Sequence, residues 1–283
     1  MMNEPPEASP GRRPRLTRRG RLVLLLTVVL VVAAAVLVPV LLLTGDDGGG
    51  KRTTLVIPEG RRAADVYVSV DQALGLSPGA TRKAASTARL RLPEAAKGNP
   101  EGFLFPATYP VGSATTPANL LSYMVNTANQ RFGAGRISAG AQRAGMSTYQ
   151  AVTVASIVQA EADSVADMGK VARVVHNRLS LGMPLQMDST LNYALNRSTV
   201  DTSHADTKID SPYNTYERKG LPPTPIGNPG EEAMNAALNP ASGDWLYFVT
   251  VKPGDTRFTN KYAEQLRNVE EFNRNRKAAN GSN

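Results

Sequence analysis

Hydrophobic and polar positions follow three successive patterns along the chain. Residues 22–43 are apolar except for Thr27 and Pro39. A helix of these 22 residues, rising about 1.5 Å per residue, spans roughly 30 Å of hydrocarbon, so the run predicts one membrane-spanning segment. From residue 53 the apolar positions become periodic. Thr54-Leu-Val-Ile57 predicts a short strand closed by Pro58-Glu-Gly60, residues 63–74 predict a helix stopped by Gly75, and Ser77-Pro78 opens another helix running to about Leu92. Helical spacing returns over 120–132, over 148–161 behind the Ser147-Thr148 cap, and over 167–181 with Val171, Val174, Val175 and Leu179 as its stripe. Residues 244–251 predict a strand with an aromatic stripe in the core, turning through 252–255 into 256–260. The third pattern is polar: the tail after Phe272 predicts fraying. Together these helices and short strands are read as an α+β fold.

Charge gives the first run its direction. Arg12, Arg13, Arg15, Arg18, Arg19 and Arg21 precede it and Asp46 and Asp47 follow it. The positive-inside rule then puts the N-terminus in the cytoplasm and the rest of the chain outside the cell membrane, on an uncleaved single-pass anchor. Residues 1–21 hold a net +4 of the chain's +8, which leaves too little basic charge elsewhere for a nucleic-acid partner. Residues 44–52, with Gly48-Gly49-Gly50, read as a flexible linker. The chain has no cysteine, which removes disulfides, thiol nucleophiles and cysteine-based zinc sites. Its two histidines, His176 and His204, lack the i, i+4 spacing of a zinc-binding helix, and neither accompanies a Gly-x-Ser-x-Gly turn. No metal or other cofactor is expected, and the chemistry rests on carboxylates.

Glu161 is the carboxylate whose position stands out. Val154, Ile157 and Val158 lie seven, four and three residues before it, which puts it on the apolar face of its own helix. Desolvation there raises a carboxyl pKa, as a general acid requires; a core Glu paired with an arginine would carry the same pattern. Gln159 and Asp163, two residues to either side, point elsewhere. Arg178 falls on the buried side of its helix and wants a partner, which Glu161 or Asp188 could supply; His176 falls off that stripe. Gln186, Asp188, Ser189 and Thr190 share one turn whose amide, carboxylate and hydroxyls suit a saccharide but equally make turn caps. Tyr213, Asn214 and Tyr216 stand in a Pro-rich loop, where rings either stack on sugars or pack.

Several motifs in fixed order resemble the YceG-like (MltG) family of endolytic murein transglycosylases over residues 54–272. They are Glu101-Gly-Phe-Leu-Phe-Pro-Ala-Thr-Tyr109, Ala155-Ser-Ile-Val-Gln-Ala-Glu161, Asn177-Arg-Leu179, Gly182-Met183 with Leu185-Gln186 and Asp188, Ser211-Pro-Tyr-Asn-Thr-Tyr216, Gly220-Leu-Pro-Pro223, Asn228-Pro-Gly230 and Tyr247-Phe-Val249. The resemblance implies a LysM-like β-α-α module over 53–95, shorter than usual, ahead of a mixed α/β catalytic domain over 96–272 and a polar tail over 273–283. It implies cleavage of nascent peptidoglycan strands between N-acetylmuramic acid and N-acetylglucosamine, leaving 1,6-anhydro ends and terminating strand elongation. Glu161 is then the catalytic residue, acid first and base afterwards, and no second carboxylate is needed because the nucleophile is the substrate's own 6-hydroxyl. Asn177, Arg178, Gln186, Asp188, Thr190, Tyr213, Asn214 and Tyr216 form the implied substrate-binding set. Peptidoglycan synthases are the implied protein partners. Gln159 and Ser189 depart from the family pattern, which has an acidic residue and a proline there. A hydrolase using Glu161 with Asp188, and a non-catalytic module that binds glycan or scaffolds synthases, are the rival readings.

Overall fold

A computed structural model of the chain describes residues 53–133, 135–162, 164–197 and 202–280. The basic tail, the apolar run over 22–43, the linker and Asp163 lie outside the described residues, and among those described no helix is long and apolar enough to cross a membrane.

Strand β1 (Thr53–Val56) pairs antiparallel with β2 (Thr108–Val111), Thr53 opposite Val111 and Val56 opposite Thr108. Leu55 and Ile57 turn inward while Thr54 and Val56 face out, the two-residue period of a half-buried strand. The β-α-α segment over 53–95 therefore does not close its own sheet. Its partner strand comes from beyond residue 95, and residues 52–283 form one compact unit. Helix α1 (Ala63–Ala73) buries Ala63, Val66, Tyr67 and Val70, the i, i+3, i+4, i+7 stripe of an amphipathic helix. Helix α2 (Ala80–Thr87) is shorter than the 77–92 span expected from Ser77-Pro78. Its start is set by Asp71 of α1, whose carboxylate accepts from the Gly79 and Thr81 amides at 2.8 and 2.7 Å, with Gly79 at φ 89°. Its end is set by Leu90 and Leu92, two residues apart, which both pack on the core only in extended chain.

Helices α3 (Pro117–Gly133) and α4 (Gly135–Arg143) lead to α5 (Thr148–Glu161), the centre of the unit. A capping box starts α5: Ser147 Oγ accepts from the Gln150 amide and Gln150 Oε1 accepts from the Ser147 amide. The eight residues from Ala151 to Val158 are all buried. The apolar face expected of this helix is thus its whole circumference, because α6 (Val165–Ser180) and α8 (Glu231–Leu238) pack along it and α7 (Asp188–Ala194) crosses its end. Only its two ends reach solvent, the first turn with Gln150 exposed and the last turn with Glu161 half-buried.

Long loops are locked onto this core by Asn228, which is fully buried. Its Oδ1 accepts from the Leu104 amide at 2.8 Å and its Nδ2 donates to the Arg61 carbonyl at 2.7 Å. Its own amide donates to the same carbonyl, and its carbonyl accepts from Gly60. One residue thus pins the 58–62 turn against the 101–105 segment. The neighbouring Gly227 permits the approach, since a Cβ there would lie 2.8 Å from the Gly60 carbonyl.

Strands β3 (Tyr247–Lys252) and β4 (Asp255–Thr259) form a second antiparallel hairpin, with Phe248 stacked on Phe258 at 5.7 Å. Its aromatic stripe is half-buried, and only Val251 and Thr259 are fully covered. Helix α9 (Tyr262–Asn280) corrects the expected frayed tail. Arg257 pairs with both Glu271 oxygens at 2.7 and 2.8 Å and Asn275 donates to the Val251 carbonyl at 2.8 Å, so 273–280 continues the helix against the hairpin.

Asn228→Ala leaves the buried Leu104 amide without its acceptor, a change worth about 1–3 kcal/mol for each orphaned group. Urea denaturation followed by circular dichroism is expected to show a lowered midpoint with native helix content before the transition.

Candidate active site

Where α5 emerges from the core it opens into a cleft of about 540 Å³. Gln159 and Glu161 of α5 and Asp188 and Ser189 of α7 line one side, and the 59–62 turn with Asp65 of α1 lines the other. The two sides are about a hundred residues apart in the chain; Asn228 holds the 59–62 turn, and the Ile226 and Gly230 amides on either side of it donate to Ser156 Oγ and Gln159 Oε1 of α5, each at 3.0 Å.

Glu161 is the last residue of α5 and half-buried. Its Oε1 accepts from the Ser189 amide at 3.0 Å. Desolvation raises its pKa above the ordinary carboxyl range; hydrogen bonding from Ser189 opposes the rise and the charge of Asp188 adds to it. The C-terminal end of a helix, with its unpaired carbonyls, also favours a neutral carboxyl over a charged one. Asp188 is itself held in place, its Oδ1 accepting from the Tyr216 hydroxyl at 2.6 Å. Tyr216 is pushed upward, by desolvation first and then by its bond to Asp188, and stays a donor. The arrangement is a carboxyl disposed to carry a proton beside a second carboxylate clamped by a phenol.

The other residues expected to bind substrate stand behind these two. Arg178 is buried, but neither Glu161 nor Asp188 is its partner. It donates to the carbonyls of Leu246, Pro184 and Leu185 at 2.6, 3.0 and 2.9 Å and to Gln186 Oε1 at 3.0 Å, and its guanidinium lies over the Tyr247 ring. Peptide carbonyls meet the geometry of its fork, so the buried arginine needs no carboxylate. Asn177 donates to the Trp245 carbonyl at 2.9 Å. Gln186 is at φ 53°, and Thr190 is fully buried, bonded to the Met187 carbonyl and to Thr215. Asn214 braces its own loop through the Thr207 and Ile209 carbonyls, and Tyr213 bonds Thr224 and packs on Tyr193. Arg178 and Thr190 fix the 184–190 turn that carries Asp188 and Ser189, and Asn177, Tyr213 and Asn214 hold the loops around it. His176 sits at the boundary as expected, half-buried with Nε2 on the Ala237 carbonyl at 2.8 Å.

Gln159 lines the same cleft as Glu161, contrary to the expectation that it points elsewhere; its Oε1 accepts from the Gly230 amide at 3.0 Å. At the exposed end of a helix a cleft can wrap around more than one face. Arg61 and Arg62 were also outside the expected site, since nothing in the Pro58-Glu-Gly60 turn marks it as a wall for a helix that ends at residue 161.

Residues 40–271 match the sequence profile of the YceG-like family. The chain belongs to that family. Its fold is similar to the crystal structure of a yceG-like protein from Listeria monocytogenes, with a TM-score of 0.65 and 29% identity over 76% of this chain and 75% of that one. It is 36% identical over 173 residues to a Bacillus subtilis protein named endolytic murein transglycosylase, covering 61% of this chain and 48% of the relative. A Streptococcus pneumoniae protein of the same name is 33% identical over 177 residues, covering 60% of this chain and 32% of the relative. The chain thus spans about half the length of the first of these relatives and about a third of the second.

Within this YceG-like site the Asp188 charge acts on Glu161 in a defined direction. Asp188→Asn removes it, so the proton on Glu161 is held less tightly and the Glu161 pKa falls. A carbon-13 NMR titration of the Glu161 carboxyl is expected to show its midpoint moved to lower pH in the variant.

Proposed function

We propose that this chain is an endolytic murein transglycosylase that cuts peptidoglycan strands at the N-acetylmuramic acid side of the β-1,4 bond. The observation that carries this reading is Glu161: a desolvated carboxyl at the end of a buried helix, opening onto a cleft and hydrogen-bonded by the Ser189 amide. The names of the Bacillus subtilis and Streptococcus pneumoniae relatives support the substrate class. Protonated Glu161 donates to the glycosidic oxygen as the C1–O4 bond breaks. The resulting carboxylate then takes the proton of the muramic acid 6-hydroxyl as O6 bonds to C1, so the proton inventory closes and no water is consumed. Asp188, fixed by Tyr216, puts negative charge near the positive charge that develops at the sugar ring.

The chain works from the membrane in this proposal. The apolar run over 22–43 and the six arginines before it support a single-pass anchor with the catalytic unit outside the cell. In that position it acts on strands as they are made and ends their growth beside peptidoglycan synthases. The LysM-like segment contributes a wall of the cleft through Arg61 and Arg62.

The test is mass spectrometry of products from uncrosslinked glycan strands incubated with the full chain, wild type beside Glu161→Gln. Anhydro-muramic ends are expected from wild type, with the rate reduced roughly 10²–10⁴-fold in the variant, the usual range for removing a general acid–base. Reducing ends, heavier by one water, would overturn the transglycosylase step in favour of hydrolysis by Glu161 and Asp188. Absence of cleavage by folded wild type would favour a binding or scaffolding module.

A further inference from the structure

Glu101 is a buried carboxylate with no part in the chemistry above. It is 4% exposed. Its backbone is pinned at Gly102, φ 85°, where a Cβ would lie 2.6 Å from Pro225 and 2.9 Å from Val152 of α5. Its two oxygens reach in different directions. Oε1 accepts from the Ala63 amide at the start of α1 at 2.9 Å, and Oε2 accepts from the Tyr193 hydroxyl on α7 at 3.0 Å. Arg62 reinforces the same junction, its guanidinium 5.1 Å from the Tyr193 ring centre and donating to the Arg197 carbonyl at 2.7 Å. One end of α7 thus holds Glu161 through Ser189, and the other is tied by Glu101 to the turn that forms the opposite wall of the cleft.

We propose that Glu101 is a positioning residue for the acid–base centre: its carboxylate straps α7 to the start of α1 and so sets where Asp188 and Ser189 stand against Glu161. This rests on the enzymatic reading of the cleft. The strap depends on charge. A carboxylate accepts strong, charge-assisted bonds from both donors, whereas a protonated carboxyl keeps Ala63 on its carbonyl oxygen through a weaker neutral bond and meets Tyr193 only with that bond reversed, the phenol oxygen accepting. Desolvation raises Glu101 to about 7, against the Ala63 and Tyr193 hydrogen bonds and the charge of Arg62, with Asp65 adding to the rise. The groups facing it are Arg62 at the cap of α1, Asp65 and Tyr67 from α1, Tyr193 from α7 and Tyr149 from α5. All three tyrosines are raised, chiefly by desolvation, and remain neutral where Glu101 titrates.

Glu101→Gln keeps an acceptor for Ala63 and mimics the neutral form; Tyr193→Phe keeps the carboxylate and the ring but cuts the strap. Strand cleavage by the full chain is measured from about pH 5.5 to about pH 8. Both variants are expected to match wild-type kcat within about twofold at the acid end, where wild-type Glu101 is itself protonated. At the alkaline end their kcat is expected to fall roughly tenfold below wild type with little change in KM, as for a small misplacement of a reacting group. A deficit that is the same at every pH, or none at all, would overturn the proposal in favour of a plain packing role.

A second arm needs no turnover and survives failure of the enzymatic reading. In the Glu161→Gln background, where the acid–base group cannot titrate, the Ser189 amide NMR shift is expected to move with a midpoint near the Glu101 value. In the Glu161→Gln, Glu101→Gln double variant it is expected to stand still. A Ser189 shift that titrates equally in both would remove Glu101 as the cause.

Discussion

A carboxyl that is to hold its proton in water needs a place where water is scarce, and in this protein that place is made by the burial of the middle of α5. Residues 151–158 have no exposed face. Glu161 follows within one turn, close enough to be desolvated and far enough out to meet a ligand. Burial alone would leave a carboxyl that never ionises, and the second step as base in the proposed reaction would be closed to it. The Ser189 amide supplies the counterweight, a neutral donor that favours the charged form without fixing it as an arginine would. The buried arginine nearby, Arg178, is satisfied by carbonyls and kept out of that balance.

The rest of the unit reads as support for α7. Its first turn presents Asp188 and Ser189, and Arg178, Thr190, Thr215 and Tyr216 bond to hold that turn in position. Thr190 and Thr215 bond each other beneath it, Arg178 gathers the 184–186 carbonyl and amide oxygens, and Tyr216 clamps Asp188 from outside. Side chains of the types that suit a sugar thus work mainly on backbone, which is the commoner use of buried amides and hydroxyls. The cleft is shaped by these residues more than it is lined by them.

The opposite wall belongs to the 53–95 segment. Sharing a sheet, a core and the Asn228 bonds with the later part of the chain, it is built into the site. Its Arg61 and Arg62 line the same cleft as Glu161.

The sequence by itself determined the helices and strands whose apolar period is local, and it singled out Glu161, because a carboxyl three, four and seven residues beyond Val158, Ile157 and Val154 is placed by helix geometry alone. It also ordered the motifs that identify the family. Tertiary structure decided what lies around that carboxyl. Asp71 on α1 sets where α2 begins, Arg257 and Asn275 keep α9 helical past residue 272, carbonyls replace the carboxylate partner expected for Arg178, and Gln159 shares the cleft with Glu161. Each of these is a contact between residues distant in the chain or between a side chain and a backbone group. Spacing along a sequence records which side of its own helix a residue occupies, but carries no record of which backbone oxygen or amide another segment brings to meet it.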